Sequence, residues 1–272
     1  MNLDKYEKEQ MRAIDVWKQE KPSVISTALG FVMFPISLLI QTFVPRSAIR
    51  CAISGTSWAA ERFADEGDVM RKGRVSEIDA LKRKDLRLSD KLANEVHNWA
   101  IGIASAEGVG LGIWGIYGLM LDIPFIVALA LRTIQKIGLC YGFRCKDEEG
   151  KRFVLAVLSA ACPNTPSEKA DAVKILRTID GMISRKTLKT LAEKAAQRQL
   201  AKEAVMISIK NLGRQLGINI SERKVLQAIP AIGAVVGASV NGWFINDVSW
   251  AARRAFQERW LIENNMIVVN FP

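Results

Sequence analysis

One apolar segment determines the architecture of this chain: Glu107-Gly-Val-Gly-Leu-Gly-Ile-Trp-Gly-Ile-Tyr-Gly-Leu-Met-Leu-Asp122-Ile-Pro124-Phe-Ile-Val-Ala-Leu-Ala-Leu-Arg132. Its glycines recur every three or four residues, at Gly108, Gly112, Gly115 and Gly118. A glycine in a helix costs about 1 kcal/mol relative to alanine. Their retention indicates close approach by another helix, as in small-residue packing inside lipid; the alternative is an irregular glycine-rich turn. We expect a new helix to begin near Asp122 and to tolerate Pro124 close to its first turn.

Two further segments contain no charged residue. Residues 22–45 form a run of 24 uncharged residues, and residues 225–246 form a run of 22. A bilayer crossing needs about 20 apolar residues, but Pro35 divides the first segment and Pro230 lies in the second. Each segment is therefore either inserted in a membrane or packed as a helical hairpin, and the sequence leaves both open.

The rest of the chain has the apolar spacing of amphipathic helices. These patterns predict helices over residues 3–20, 88–106, 151–161 and 248–261, and a helix–loop–helix over residues 68–87. Together they predict an all-α fold, a multi-helix bundle with glycine-rich apolar helical hairpins and a basic amphipathic helical layer.

The composition excludes several classes of protein. The 272 residues are 49% hydrophobic and 24% charged, which is too apolar for a disordered chain. The four cysteines (Cys51, Cys140, Cys145 and Cys162) form no CxxC pair, and His97 is the only histidine. We therefore predict reduced thiols, no metal site and no cofactor. The first 21 residues lack the apolar core of a signal peptide, which favours a cytoplasmic location.

The net charge of +10 is concentrated in residues 154–224, which carry 13 basic and 6 acidic residues. A solvated helix face explains this excess most simply. The functional alternative is contact with an anionic membrane surface, where each basic residue contributes about 1 kcal/mol. Nucleic acid is not expected as a partner, because residues 168–224 contain no aromatic side chain for base stacking.

Motifs for catalysis and nucleotide binding are weak in this chain. Gly110-Leu-Gly-Ile-Trp-Gly115 matches the dinucleotide pattern GxGxxG, but the residues before it predict a helix and not a strand. No P-loop and no GxSxG motif occurs, and Ser221-Glu-Arg-Lys224 matches SxxK within a charged segment. A nucleophilic serine or cysteine would have to use His97 as its base, and a structural histidine is the simpler interpretation.

Two acidic residues, Glu107 and Asp122, are the only charged groups in a 32-residue apolar region. An isolated charge in an apolar medium is costly, so such groups pair, change their pKa or face water. The simpler interpretation makes Asp122 a helix cap and gives Glu107 an arginine partner. The functional interpretation is a polar site for a headgroup or an ion, with Arg132, Arg253 and Arg254 as counter-charges.

Several of these segments form a recognisable signature. It comprises Leu111-Gly-Ile-Trp-Gly-Ile-Tyr-Gly-Leu-Met-Leu-Asp122-Ile-Pro-Phe125, Leu131-Arg132-Thr-Ile-Gln-Lys-Ile137, Tyr141-Gly-Phe143, Ile229–Asn241 and Ala251-Ala-Arg253-Arg254. In this order the segments resemble the EcsC protein family, over about residues 50–262.

That family is bacterial and predominantly helical, and it is associated with an ABC-type exporter implicated in secretion and peptide processing. The resemblance implies a fold class and a connection with the membrane, but no reaction. It marks five signature positions without assigning them a role: Asp122, Arg132, Tyr141, Asn241 and Arg253. We divide the chain into an N-terminal helix with an apolar hairpin-like segment (1–45), an EcsC-like helical domain (46–264) and an extended apolar tail (265–272).

We therefore predict a membrane-associated accessory protein, peripheral or partly inserted at the inner face of the bacterial cell membrane, with no defined reaction. The expected partners are the anionic membrane surface and a membrane transporter or other membrane protein. The candidate polar-core or headgroup site comprises Glu107, Asp122, Arg132, Tyr141, Asn241, Arg253 and Arg254.

Three alternatives stay open. The chain could be a soluble helical interaction protein whose apolar helices bury one another. It could be a hydrolase acting on lipid or peptide, with His97, Glu107 or Asp122 as acid and base, although the sequence favours a protein without enzymatic activity. The third alternative is a membrane-perturbing effector in stress or defence.

Overall fold

The computed structural model describes residues 3–20, 66–112, 115–161, 163, 165–184 and 233–266. The side chains of residues 107–112, 115–124, 148, 182–184 and 233–240 lie outside this description. The charge-free segment 22–45 and the predicted boundary after residue 45 also lie outside it. The predicted basic layer is described only as far as Ser184, and the tail only as far as Met266.

Helices account for the secondary structure of the described residues, which contain no strand. They are α1 (Lys5–Gln19), α2 (Glu66–Gly73), a 3₁₀ helix (Ile78–Arg83), α3 (Leu86–Gly112), α4 (Gly115–Cys140), α5 (Glu148–Ala161), α6 (Pro166–Ser184) and α7 (Gly233–Glu263). These helices pack together, so the predicted all-α multi-helix bundle is confirmed. None of the described helices is both long enough and apolar enough to cross a membrane.

Two predicted helix starts are wrong. The helix expected to begin near Asp122 begins at Gly115 and continues through Pro124. A proline inside a helix costs about 3 kcal/mol, but the following residues of α4 bury Ile126, Val127 and Leu129 in the core, which offsets that cost. The helix expected to begin at Val248 is instead the second half of α7, which runs unbroken from Gly233.

α7 is the central helix and packs against α1, α3, α4 and α5. Its Phe256 is fully buried and stacks on the rings of Tyr141 and Phe143, with centroids 6.4 Å and 5.9 Å away. Gly138 of α4 lies beneath the same ring, and a Cβ atom there would stand 2.7 Å from Phe256 Cζ. Gly138 thus permits the close approach of α4 to α7 at this point.

Gly142 ends α4 in the left-handed backbone conformation, with a φ of +86°. The N–H of Phe143 donates to the carbonyl of Gly138 at 2.9 Å, and the N–H of Gly142 donates to that of Leu139 at 3.0 Å. This is the Schellman arrangement, in which glycine is favoured because it has no Cβ. The Tyr-Gly-Phe signature is therefore a helix C-cap that turns the chain into the core.

Gly142→Ala is expected to lower the free energy of unfolding by roughly 3 kcal/mol. The added Cβ would be strained by the positive φ and would lie 2.7 Å from the backbone nitrogen of Lys82. Urea denaturation followed by circular dichroism measures the effect. Gly102→Ala is the control, because nothing lies within 4 Å of a Cβ there, and it should stabilise α3 by up to about 1 kcal/mol. Equal effects of the two substitutions would contradict this account of the turn.

Candidate functional site

A buried carboxylate, Asp90, joins three parts of the bundle near the start of α3. Its Oδ2 atom accepts a hydrogen bond from the Tyr6 hydroxyl of α1 at 2.6 Å. Its Oδ1 atom accepts one from Gln257 Nε2 of α7 at 2.6 Å, and another from the Tyr141 hydroxyl at the end of α4. We call Asp90, Tyr6, Tyr141 and Gln257 the Asp90 cluster.

Burial fixes the protonation of the two tyrosines in this cluster. Desolvation, followed by the neighbouring Asp90 charge, raises the pKa of both the Tyr6 and the Tyr141 hydroxyls well above the usual value. Both tyrosines therefore stay neutral and donate to the carboxylate across the physiological pH range. The cluster links α1, α3, α7 and the end of α4 by satisfied hydrogen bonds.

Two arginines of α7 lie directly beside the Asp90 cluster. Arg254 Nη1 donates to Gln10 Oε1 of α1 and to Gln257 Oε1, both at 2.8 Å. Arg253 Nη1 donates to Asn94 Oδ1 of α3 at 2.9 Å. Burial, and then the adjacent Arg253, lower the pKa of Arg254. Among the described residues, the hydrogen bonds of both guanidinium groups go to amide oxygens and to no carboxylate.

The Trp250 indole covers both arginines. The guanidinium carbons of Arg253 and Arg254 lie 4.4 Å and 5.0 Å from its ring centroid. The ring of His97 meets the same indole edge-on, with centroids 5.5 Å apart. Stacking of guanidinium groups on tryptophan is favourable, and more so where water is excluded.

His97 is held as a neutral ring. Its Nε2 lies 3.1 Å from Asn246 Oδ1, so Nε2 carries the proton and Nδ1 presents a lone pair. Desolvation, followed by the positive charge of Arg253, lowers the pKa of His97. Glu107 lies ten residues farther along α3, about 15 Å along the helix axis. The proposed acid–base pairing of His97 with Glu107 therefore gains no support from the fold.

The structure brings together three of the seven predicted site residues. Tyr141 belongs to the Asp90 cluster, and Arg253 and Arg254 lie beside it. Asn241 is buried on α7, about 18 Å along the axis from Arg253. Arg132 lies on α4, where its guanidinium carbon is 4.8 Å from the Trp99 ring centroid.

The two remaining predicted residues belong to described helices, but their side chains lie outside the described part of the chain. They are Glu107 of α3 and Asp122 of α4. Sequence analysis did not single out Asp90, Tyr6, Gln10, Gln257 or Trp250. A usable signal exists for Asp90, because it shares one helical face with the buried Leu86, Ala93 and His97.

Among the described side chains of α3, α4 and α7, four large aromatic ones are exposed. Their exposed fractions are 43% for Trp99, 39% for Phe125, 49% for Trp243 and 36% for Trp250. We call these four residues the aromatic face. Trp243 and Trp250 are seven residues apart and so lie on one side of α7. Phe125 likewise shares a side of α4 with Arg132, which is seven residues away and stacks on Trp99.

The described cysteines are unsuited to act as nucleophiles. Cys140 and Cys145 are free and buried, and desolvation raises their pKa values to about 12 and about 11. At neutral pH both stay as thiols, which are poor nucleophiles. Cys51 and Cys162 lie outside the described residues.

A second buried ionic group joins α6 to α1 and α7. Lys18 pairs with Glu258, and Arg259 Nε lies 3.4 Å from Asp180 Oδ1. Desolvation outweighs the attraction of Arg259 and raises the pKa of Asp180 to about 7. The carboxyl is thus uncharged in the folded protein over a pH range where it is charged in the unfolded chain.

The free energy of unfolding of the wild type is expected to fall between pH 5 and pH 8, and the substitution Asp180→Asn is expected to abolish this fall. Because the folded pKa lies above the unfolded value, the folded state binds the extra proton at low pH, and the free energy of unfolding falls as pH rises toward 7. The wild type should lose about 2 kcal/mol more than the variant over this interval in urea titrations. The exposed Asp171→Asn on the same helix is the control and should follow the wild type. Parallel curves for the wild type and Asp180→Asn would show that Asp180 does not carry this dependence.

Comparison with protein families matches residues 8–261 of this chain to the EcsC protein family. Two curated relatives come from Bacillus subtilis (strain 168). Uncharacterized protein YdbA is 23% identical over 186 residues, which are 68% of this chain and 63% of YdbA. Protein EcsC is 24% identical over 161 residues, which are 59% of each chain. The chain thus spans less than two thirds of the length of these relatives, and no solved structure matches it significantly.

Proposed function

Given that this chain belongs to the EcsC protein family, we propose that it attaches peripherally to an anionic membrane surface through the aromatic face. The proposal locates the protein at the inner face of the cell membrane, with no reaction assigned. The observation that carries it is the exposure of Trp99, Trp243 and Trp250, together with Phe125, on neighbouring helices of one bundle.

Exposed tryptophans have a physical reason to meet a lipid interface. An indole combines a large apolar ring with one N–H donor, and it is enriched at the headgroup level of membranes for that reason. α7 runs antiparallel to α3, since Arg253 contacts Asn94 while Gly242 lies beside Ser105. Trp250 of α7 therefore packs beside α3, where it contacts His97, and Trp99 of α3 lies beside Arg132 and Lys136 of α4.

Basic side chains accompany the aromatic rings. Arg132 and Lys136 stack on Trp99, and Arg253 and Arg254 stack on Trp250. Lys136 is partly neutralised, because its Nζ lies 3.3 Å from Asp68. Cations beside interfacial rings favour a negatively charged lipid surface, by about 1 kcal/mol for each basic residue near it.

Flotation of the purified full chain with liposomes tests the proposal. At low salt the protein should float with phosphatidylglycerol vesicles and remain at the bottom of the gradient with phosphatidylcholine vesicles. Raising the salt to about 1 M should release a large part of the bound protein, because screening at that ionic strength acts within about 3 Å. Absence of the protein from the anionic vesicle fraction at low salt would contradict the proposal and would favour a protein partner for the aromatic face.

A further inference from the structure

Arg253 and Arg254 form a pair of cations without an anionic partner among the described residues. Their hydrogen bonds go to Asn94, Gln10 and Gln257, which are all neutral. Among the described residues, the carboxylate that acts on Arg254 is that of Asp90, which already accepts three hydrogen bonds from the cluster and none from either arginine. Among the described residues, this region therefore contains two positive charges and one negative charge, and the negative group forms no hydrogen bond with either arginine.

Burial makes this excess costly. Arg253 is only 8% exposed, and its buried Nε–H has no hydrogen-bond acceptor within the described part of the chain. A buried charge that lacks a partner destabilises the folded state unless another group compensates it. Neutral His97 cannot do so, since its Nε2 carries a proton toward Asn246 and its ring has no charge to offer.

We propose that Arg253 and Arg254 form a binding site for a phosphate group that Trp250 covers in the unbound protein. Guanidinium groups bind phosphate through paired N–H donors, and Arg253 has one such donor without an acceptor. The Trp250 ring lies over both guanidinium carbons and is itself partly exposed, so its outward rotation uncovers them. Asn94, an exposed residue of α3, lies at the rim of this site.

The phosphate belongs either to a lipid headgroup or to a soluble phosphate compound. The lipid source rests on the proposed function, because Trp250 is part of the aromatic face and would enter the interface as it leaves the arginines. The soluble source does not depend on membrane attachment. Both sources require the same two guanidinium groups.

Isothermal titration calorimetry tests the site. Inorganic phosphate is titrated into the full chain, and chloride salt keeps the ionic strength constant. The wild type should bind saturably, and Arg253→Gln should weaken binding at least tenfold. Trp250→Ala keeps both arginines and removes their cover, so it should bind phosphate several-fold more tightly than the wild type. Arg87→Gln is the control for loss of one positive charge at an exposed arginine, and it should bind as the wild type does. Circular dichroism confirms that each variant is folded.

Absence of saturable phosphate binding in both the wild type and Trp250→Ala would overturn the proposal, whatever the behaviour of the arginine variants. Flotation separates the two sources. Preference for phosphatidic acid over phosphatidylglycerol vesicles, lost in Arg253→Gln, identifies a lipid headgroup. Phosphate binding in solution without such a preference identifies a soluble ligand. A wild type that binds phosphate but floats with no anionic vesicle refutes the proposed function and leaves the phosphate site standing.

Discussion

Asp90→Ala is expected to lower the free energy of unfolding by about 4 kcal/mol, among the largest effects that one substitution can have in this chain. The change removes the acceptor that Tyr141 and Gln257 share, so the Tyr141 hydroxyl loses its partner and Gln257 Nε2 loses one of its two acceptors, the other being Gln10 Oε1. Each unsatisfied buried donor costs about 1–3 kcal/mol. The substitution also removes the negative charge that faces Arg253 and Arg254, which leaves their positive charges without compensation.

Urea denaturation at neutral pH measures this effect. Glu95→Ala is the matched control on the same helix, because Glu95 is exposed and pairs with Lys72 at the surface. Such a pair contributes less than about 1 kcal/mol. Tyr141→Phe should fall between the two, since it removes one donor and leaves the carboxylate in place. A loss in Asp90→Ala no greater than that in Glu95→Ala would show that the Asp90 cluster does not hold the helices together.

Replacing Trp99, Trp243 and Trp250 together by alanine should reduce partition onto anionic vesicles about a hundredfold. Each exposed indole that leaves water contributes at least about 1 kcal/mol, and three of them contribute enough for two orders of magnitude. The bundle should stay folded, because these half-exposed side chains lie outside the buried hydrophobic core, which the substitutions leave unchanged.

Flotation at a series of lipid concentrations measures the partition, and circular dichroism checks the fold. Val16→Ala is the control, because Val16 is an exposed apolar residue on α1, outside the aromatic face. It should partition as the wild type does. A folded triple variant that still partitions like the wild type would show that membrane binding uses another surface.

The spacing of apolar residues was sufficient to predict the helices, but it did not predict the correct position of some helix ends. The apolar spacing of residues 3–20 and 151–161 predicts α1 and α5 within three residues, and that of residues 88–106 predicts the start of α3 within two, because helices bury one side chain in every three or four. α3 continues for six residues beyond its predicted end. The start of α4 was misplaced because Pro124 usually disfavours a helix interior, and tertiary packing of the residues that follow overrides that local preference.

The site could be predicted only in part, because its contacts are between residues far apart in the chain. Tyr6 and Gln257 reach Asp90 from 84 and 167 residues away. No regular spacing in the sequence indicates a contact between residues that are so far apart in the chain. Arg253 and Arg254 were found because they belong to the family signature, whereas Trp250, four residues before Arg254, could not be told from a core tryptophan by sequence.

Tryptophan fluorescence in the presence of vesicles tests the central claim most directly. Adding phosphatidylglycerol vesicles to the wild type should shift the emission to shorter wavelength, and vesicles whose lipids carry bromine near the headgroup should quench it. Both changes require indoles of the aromatic face to leave water for the lipid interface. An emission spectrum that is unchanged and unquenched under conditions of excess anionic lipid would contradict the claim that these exposed tryptophans bind a membrane surface.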